Sequence, residues 1–180
     1  MANPPDTPCA TDSKALASVA APLPILGVIT ANVVRANTTG AAPFAGLPVG
    51  AASRVASLNI LGVVQTGVTS AKARVDSVGG QCLFATRSFV DDVAIQGAPV
   101  FVGTNYLQVT IPLVGVVQFN ATLGGPTPTS GAPNLNIVTQ RALWLQITNP
   151  SLQMMTGVKE VIVNEATVDI AGNPCSTTGP

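Results

Sequence analysis

The sequence contains no histidine. Without an imidazole, neither a Ser–His–Asp nor a Cys–His catalytic arrangement can form, and zinc sites of the usual kind lose their common nitrogen ligand. The chain also lacks a C-x-x-C pair, a G-x-x-x-x-G-K-[ST] loop and a strand-linked G-x-G-x-x-G loop. We therefore predict a protein that is not an enzyme and that carries no metal and no cofactor.

Charge and aromatic residues are also scarce. Charged residues make up 9% of the chain, against about 25% in ordinary globular domains. The formal net charge is zero, and aromatics are 4% although hydrophobics reach 47%. Nucleic-acid binding needs clustered Lys and Arg, so the composition predicts no nucleic-acid partner. A net charge near zero removes the repulsion that keeps monomers apart, which favours a chain that works in an assembled state.

The N-terminal region predicts neither a membrane span nor a secretory signal. Residues 15–34 carry no charge and are long enough to cross a bilayer. However, Pro22 and Pro24 lie in the middle of that stretch, and Ser, Thr and Asn interrupt it. The opening "MANPPDTPCATDSK" lacks a basic n-region, so a signal has been removed or export does not use one. We predict that residues 1–24, rich in Pro, Ala and Ser, form an extended N-terminal arm.

Beyond the arm, β-branched runs are separated by Gly/Pro turns. The stretch "VTSAKARVDSV" (68–78) alternates with a period of two, as a half-buried strand does. The runs at 135–148 and 158–172 are predicted to alternate without interruption. Eight or more such runs predict an all-β fold, a single-domain antiparallel β-sandwich or barrel of jelly-roll-like type. This domain would span residues 25–172, with 173–180 as a C-terminal tail, and the helix candidates are 9–20 and 150–157.

The order of these segments resembles the choice-of-anchor P family of extracellular bacterial proteins, whose function is largely unknown. The resemblance lies in "SLNILG" (57–62), "AKARVD" (71–76), "VDDVAIQGAPV" (90–100), "VTIPLVGVVQFNAT" (109–122), "QRALWLQIT" (140–148) and "VIVNEATVDIAG" (161–172). Together these segments cover most of residues 25–172. Ala121 stands where the family tends to have an acidic residue, and the signal peptide and anchor common in the family are not seen. The resemblance implies a secreted or surface-displayed β domain and brings no catalytic residues.

The three cysteines are candidates for disulfides or cross-links between subunits. Cys9 and Cys175 each follow a proline, which presents the thiol from an extended segment. Cys9 could pair with Cys175 in one chain, or with Cys175 or Cys82 of the next subunit. A pair between Cys82 and Cys175 is the third alternative. The arm residues predicted to take part in assembly are Pro4, Pro5, Pro8 and Cys9.

These features favour a non-enzymatic structural protein. Such a subunit would assemble with copies of itself into an extracellular fibre, appendage or surface layer, through its N-terminal arm and its apolar, uncharged surfaces. It would lie outside the cell or on a cell or spore surface. Trp144, between Leu143 and Leu145, is assigned to packing in the core or at an interface. The alternative is a monomeric cell-surface binding or adhesion module that makes contact through loops 37–52 and 123–134.

Overall fold

The computed structural model describes residues 12–23, 27–39, 49–78, 81–124 and 137–169. These ranges contain one short helix and thirteen strands, which confirms the all-β prediction. The strands are β1 (Asp12–Leu23), β2 (Gly27–Thr39), β3 (Val49–Val55), β4 (Ser57–Ile60), β5 (Val64–Thr66), β6 (Thr69–Val78), β7 (Gln81–Val90), β8 (Val93–Ile95), β9 (Ala98–Val100), β10 (Leu107–Ile111), β11 (Gly115–Gly124), β12 (Ile137–Ile147) and β13 (Glu160–Asp169). The helix is α1 (Pro150–Thr156).

The larger sheet has nine strands and forks at Ala56. Its path is β7-β6-β3-β2-β4-β5-β8-β9, and β1 pairs with β2 off this path. β3 and β4 keep one register against β2, and between them the Ala56 amide donates to the Asn32 carbonyl at 2.9 Å. Beyond this point the neighbours differ, since β3 continues into β6 and β7, whereas β4 continues into β5 and β8.

The smaller sheet is an antiparallel meander of β10, β11, β12 and β13 in chain order. Its strands β12 and β13 pack face to face on β3, β6 and β7. The core between the layers is built from branched aliphatic side chains around Phe119, with Val90, Val117, Leu143 and Leu145 fully buried. No described sheet closes into a barrel, so the sandwich is the alternative that holds.

In the small sheet, the alternation between inward- and outward-facing side chains reverses at the same level in three neighbouring strands. β12 buries Val138, Gln140 and Ala142, and then, without the expected exposed residue, Leu143, Leu145 and Ile147. Asn120 on β11 and Asn164 on β13 face Ala142 in the register and have φ values of 55° and 54°. Asparagine tolerates this left-handed region better than most residues, so these two positions let neighbouring strands reverse together.

α1 is capped at both ends by residue types that favour helix ends. The Asn149 side chain accepts from the amides of Ser151 and Leu152 at 2.9 and 3.3 Å, which satisfies two free donors of the first turn. Pro150 begins the helix, and Gly157 ends it with φ 68°. The helix candidate at 150–157 is therefore confirmed. With seven residues, α1 is too short to cross a bilayer. No helix in the described ranges has the length and apolarity that a membrane span needs.

The helix candidate at 9–20 is wrong, because Asp12–Ala20 belong to β1. Residues 12–23, half of the predicted arm, form a strand that pairs with β2 from Asp12 opposite Thr38 to Leu23 opposite Gly27. The backbone pairing of β1 with β2 outweighs the helix preference of the alanines in β1, as tertiary context commonly does. Within the described ranges, β2 is the one strand with which β1 has extensive contacts.

Candidate functional site

Most of the predicted assembly residues fall outside the described ranges. Pro4, Pro5, Pro8, Cys9 and Cys175 belong to residues 1–11 and 170–180. Cys82 lies in β7, where it pairs in register with Ser77 of β6. Because it is the only cysteine within the described ranges, all three disulfide pairings stay predictions.

Trp144 lies on the outer face of the small sheet and not in the core. Its indole Nε1 donates to Glu160 Oε2 at 2.8 Å. The Arg141 guanidinium lies 4.6 Å from the centre of the indole ring, within the range of a cation–π contact. Arg141 Nε also donates to Glu165 Oε2 at 2.7 Å. The half-buried Trp144 is thus held in place by one carboxylate and one cation, and it presents part of a rigid aromatic surface to solvent.

The same outer face continues across β11 to β10 through amide side chains. Gln118, which pairs in register with Trp144, donates to Gln108 Oε1 at 3.2 Å. The Tyr106 hydroxyl donates to the same oxygen, also at 3.2 Å. We name this surface the polar face; it comprises Tyr106, Gln108, Gln118, Arg141, Trp144, Glu160 and Glu165. Its hydrogen bonds join side chains on neighbouring strands, so it is ordered before any partner arrives.

A second exposed surface, which we name the apolar end, lies where the β10–β11 turn meets α1. It comprises Pro112, Leu113, Met154 and Met155, all exposed. Leu113 has φ 62°, and its carbonyl accepts from Asn149 Nδ2 at 2.7 Å. That bond fixes the turn beside the N-terminus of α1, where a shallow cavity of about 370 Å³ opens. Leu113 is 84% and Met154 88% exposed, so two large apolar side chains stand in water at one end of the sandwich.

Polar side chains also join the two layers from inside. Gln140 Nε2 donates to the Ser88 hydroxyl at 2.6 Å, and Asn164 Nδ2 donates to the Thr69 hydroxyl. All four residues are buried. Each bond connects the small sheet to the large one, so the pairs fix how the layers sit on each other, because a slip would leave these groups unsatisfied.

Acidic and thiol side chains do not cluster on the described residues. Nowhere in these ranges do three or more Cys, Asp or Glu side chains gather in a way that could hold a metal ion. Asp91 and Asp92 are exposed at the turn between β7 and β8, where Asp92 has φ 49°. What the geometry offers is ordered surfaces and, within the described ranges, edge strands that pair on one side only.

Sequence reasoning found Trp144 but missed its partners and the apolar end. Glu160 lies sixteen residues from Trp144 along the chain, and the register of β12 with β13 brings it to the indole. Arg141 lies three residues away on β12 itself and shares the face of Trp144 because the alternation of the strand reverses between them. Leu113 sits in the apolar run "IPLVG", where nothing distinguishes it from its buried neighbours Ile111 and Val114.

The comparisons with known proteins add no relative. The chain matches no protein-family model, no curated protein and no solved structure. The resemblance to the choice-of-anchor P family therefore stays a prediction.

Proposed function

We propose that this protein is a non-enzymatic structural subunit that assembles with copies of itself at the outside of a cell. The observation that carries the proposal is β1, a strand of 12 residues that pairs with β2 at one edge of the large sheet. A peripheral strand held through one neighbour can leave its own sheet and pair with the same edge of a second copy. The extracellular location rests on the resemblance and on the low charge.

Strand exchange needs little free energy of its own. β1 donates to and accepts from the same backbone groups of β2 whether that β2 belongs to its own chain or to another. The hydrogen bonds lost in one copy are therefore regained in the next. Assembly then depends on contacts that exist only between copies, and even weak ones decide the outcome.

The apolar end provides a surface for such contacts. Fully burying a side chain such as that of Leu113 or Met154 gains about 1.5–3 kcal/mol over leaving it in water. Phe101, in the loop before β10 and so at the other end of that strand from Leu113, is 91% exposed and offers a separate apolar contact. The near-zero net charge leaves no long-range repulsion to oppose contact between copies.

The test is the size of the protein in solution. The intact chain should form filaments under negative-stain microscopy, or a high-mass species by light scattering that grows with concentration. Deleting residues 1–14 removes the start of β1 and should leave the sandwich folded by circular dichroism while assembly is lost. The same polymer from the truncated chain would show that residues 1–14 are not the connector. An intact chain that stays an 18 kDa monomer at every concentration would overturn the structural function.

The polar face favours a second candidate, a monomeric surface-binding module. Trp144 there is a rigid aromatic anchor with polar neighbours, a combination found at protein interfaces. In that case Trp144→Ala should abolish capture of a partner without changing the mass of the free chain. The structural function instead predicts that the mass in solution depends on β1 and not on Trp144.

A further inference from the structure

The outer face of the large sheet carries a cluster of cations. Arg35 on β2, Arg54 on β3, Lys72 on β6 and Arg87 on β7 are exposed, on the side turned away from the small sheet. They are four of the eight Lys and Arg in the chain. Together they line a shallow cavity of about 470 Å³, with Asn37, Ser70 and Phe89 between them. We name these seven residues the basic face.

The register places the cations directly against one another. Arg35 pairs with Arg54, and Lys72 pairs with Arg87. Like charges directly opposite on neighbouring strands destabilise a sheet. Arg54 and Lys72 are diagonal neighbours on β3 and β6, since Lys72 pairs with Ala52. The four cations therefore form a continuous row across four strands, about 15 Å long from the spacings of paired and diagonal neighbours.

Among the side chains that the structure describes, no carboxylate forms an ion pair with this row, and Asp76, on the same face of β6 as Lys72, pairs with Arg74 instead. The residues that line the cavity include no Asp or Glu. The described ion pairs use two other arginines, Arg74 with Asp76 and Arg141 with Glu165. A single substitution in each of the two like-charge pairs would remove the repulsion. The chain keeps both pairs although it has few charged residues in all. A local rule broken without an internal compensation marks a functional surface, and the compensation that fits is an anion from outside.

We propose that the basic face binds an acidic polysaccharide, a chain whose carboxylates or sulfates recur along its length. An extended polyanion matches a row of cations better than one small anion does. The amide of Asn37 and the hydroxyl of Ser70 lie beside the cations, where sugar hydroxyls would need donors and acceptors. Proteins that bind single-stranded nucleic acid stack bases on several aromatics, and this face has one, Phe89. Duplex DNA is read by a helix or ribbon that enters a groove, whereas these residues lie in the body of a broad sheet.

The test compares two variants of equal charge change in the full chain. Lys72→Gln with Arg87→Gln removes half of the row. Lys159→Glu changes the net charge by the same two units on the small-sheet side, at an exposed residue outside both faces, and is the control. The probes are heparin and polygalacturonate, with neutral dextran, single- and double-stranded DNA, and phosphatidylglycerol vesicles as comparison ligands. Thermal unfolding checks the fold, and the first variant should be at least as stable as the native chain because a like-charge pair is gone.

The native chain should bind heparin or polygalacturonate but not dextran, and added salt should weaken this binding. The first variant should bind about 25-fold more weakly, from a factor of about five for each cation near an anionic surface, while the control stays within about twofold. Equal losses in both variants, or no binding of either acidic polysaccharide by the native chain, would overturn the proposal. Tighter binding of DNA or of vesicles would equally overturn it, because the ligand would then belong to another class.

Discussion

At the scale of single residues, the backbone of Asn120 and Asn164 decides the shape of the small sheet. Both lie inside strands with positive φ, on either side of Ala142. Asn120 also donates through Nδ2 to the carbonyls of Gly103 and Asn105, at 3.1 and 2.8 Å. One side chain therefore supports an unusual backbone conformation and holds the loop before β10 against β11.

Substitutions at Asn120 should separate these two contributions. Asn120→Ala loses both hydrogen bonds and puts at φ 55° a residue that tolerates the left-handed region less well than asparagine, so we expect a loss of about 2–3 kcal/mol in the free energy of unfolding. Asn120→Gly loses the same hydrogen bonds but tolerates the positive φ, so it should be about 1 kcal/mol more stable than the alanine variant. Urea unfolding measures the difference. Equal stability of the two variants would contradict the left-handed conformation at this position.

The reversal of the pleat could not be predicted from hydrophobic alternation. Continuous alternation in 135–148 sets Leu143 and Leu145 opposite Ala142, whereas both Ala142 and Leu143 are fully buried. In 158–172, Val163 and Asn164 both turn inward for the same reason. The one available signal was asparagine within strand-like runs, where β-propensity disfavours it. By contrast, alternation over 68–78 is confirmed, because β6 buries Thr69, Ala71, Ala73 and Val75.

At the scale of elements, local signals placed the strands and α1 but not their neighbours. Helix α1 was predictable because its cap, its proline and its glycine act within one short segment. The strand Asp12–Leu23 was not, since its conformation is set by pairing with β2. Likewise, nothing local indicates that β3 and β4 are one strand against β2 but separate at Ala56 towards different partners.

Strand exchange by β1 makes a prediction that a cross-link can test. Ser13 and Asn37 pair in register on β1 and β2, at a Cα separation that a disulfide can span. With Cys9, Cys82 and Cys175 changed to Ser, we introduce Ser13→Cys and Asn37→Cys and oxidise the assembled material. Exchange between copies should give a ladder on non-reducing electrophoresis.

The control for this cross-link is the same double variant oxidised as a dilute monomer, which should give a single fast-migrating band. A single monomer band from the assembled material as well would show that β1 stays with its own β2. That result would contradict strand exchange and leave assembly through other surfaces open to the size measurements.

At the scale of the whole molecule, charge and apolarity are segregated in a way that composition hides. The chain is neutral overall, yet the outer face of the large sheet carries the four cations of the basic face and also Arg74, which pairs with Asp76, while two carboxylates flank Trp144 and Arg141 on the small sheet. Arg35, Arg54, Lys72 and Arg87 are spread over 53 positions of the sequence, so no linear cluster indicates them. The all-β class followed from the pattern of turns, but the surfaces that could recognise partners follow only from strand register.

The apolar end supplies the last prediction, because it separates assembly from folding. Leu113→Asn should tolerate φ 62° at least as well as leucine does, and Met154→Gln keeps a good helix former on an exposed side of α1. Neither change removes buried area, so the melting temperature should stay within a few degrees of the native value.

If copies meet through this end, sedimentation velocity should show a lower weight-average mass for the double variant than for the native chain at the same concentration. The matched control removes two exposed apolar side chains elsewhere, by Leu83→Thr on β7 and Ile162→Thr on β13, and should keep the native mass distribution. Equal loss of mass in both variants would mean that general apolarity, and not the apolar end, brings the copies together.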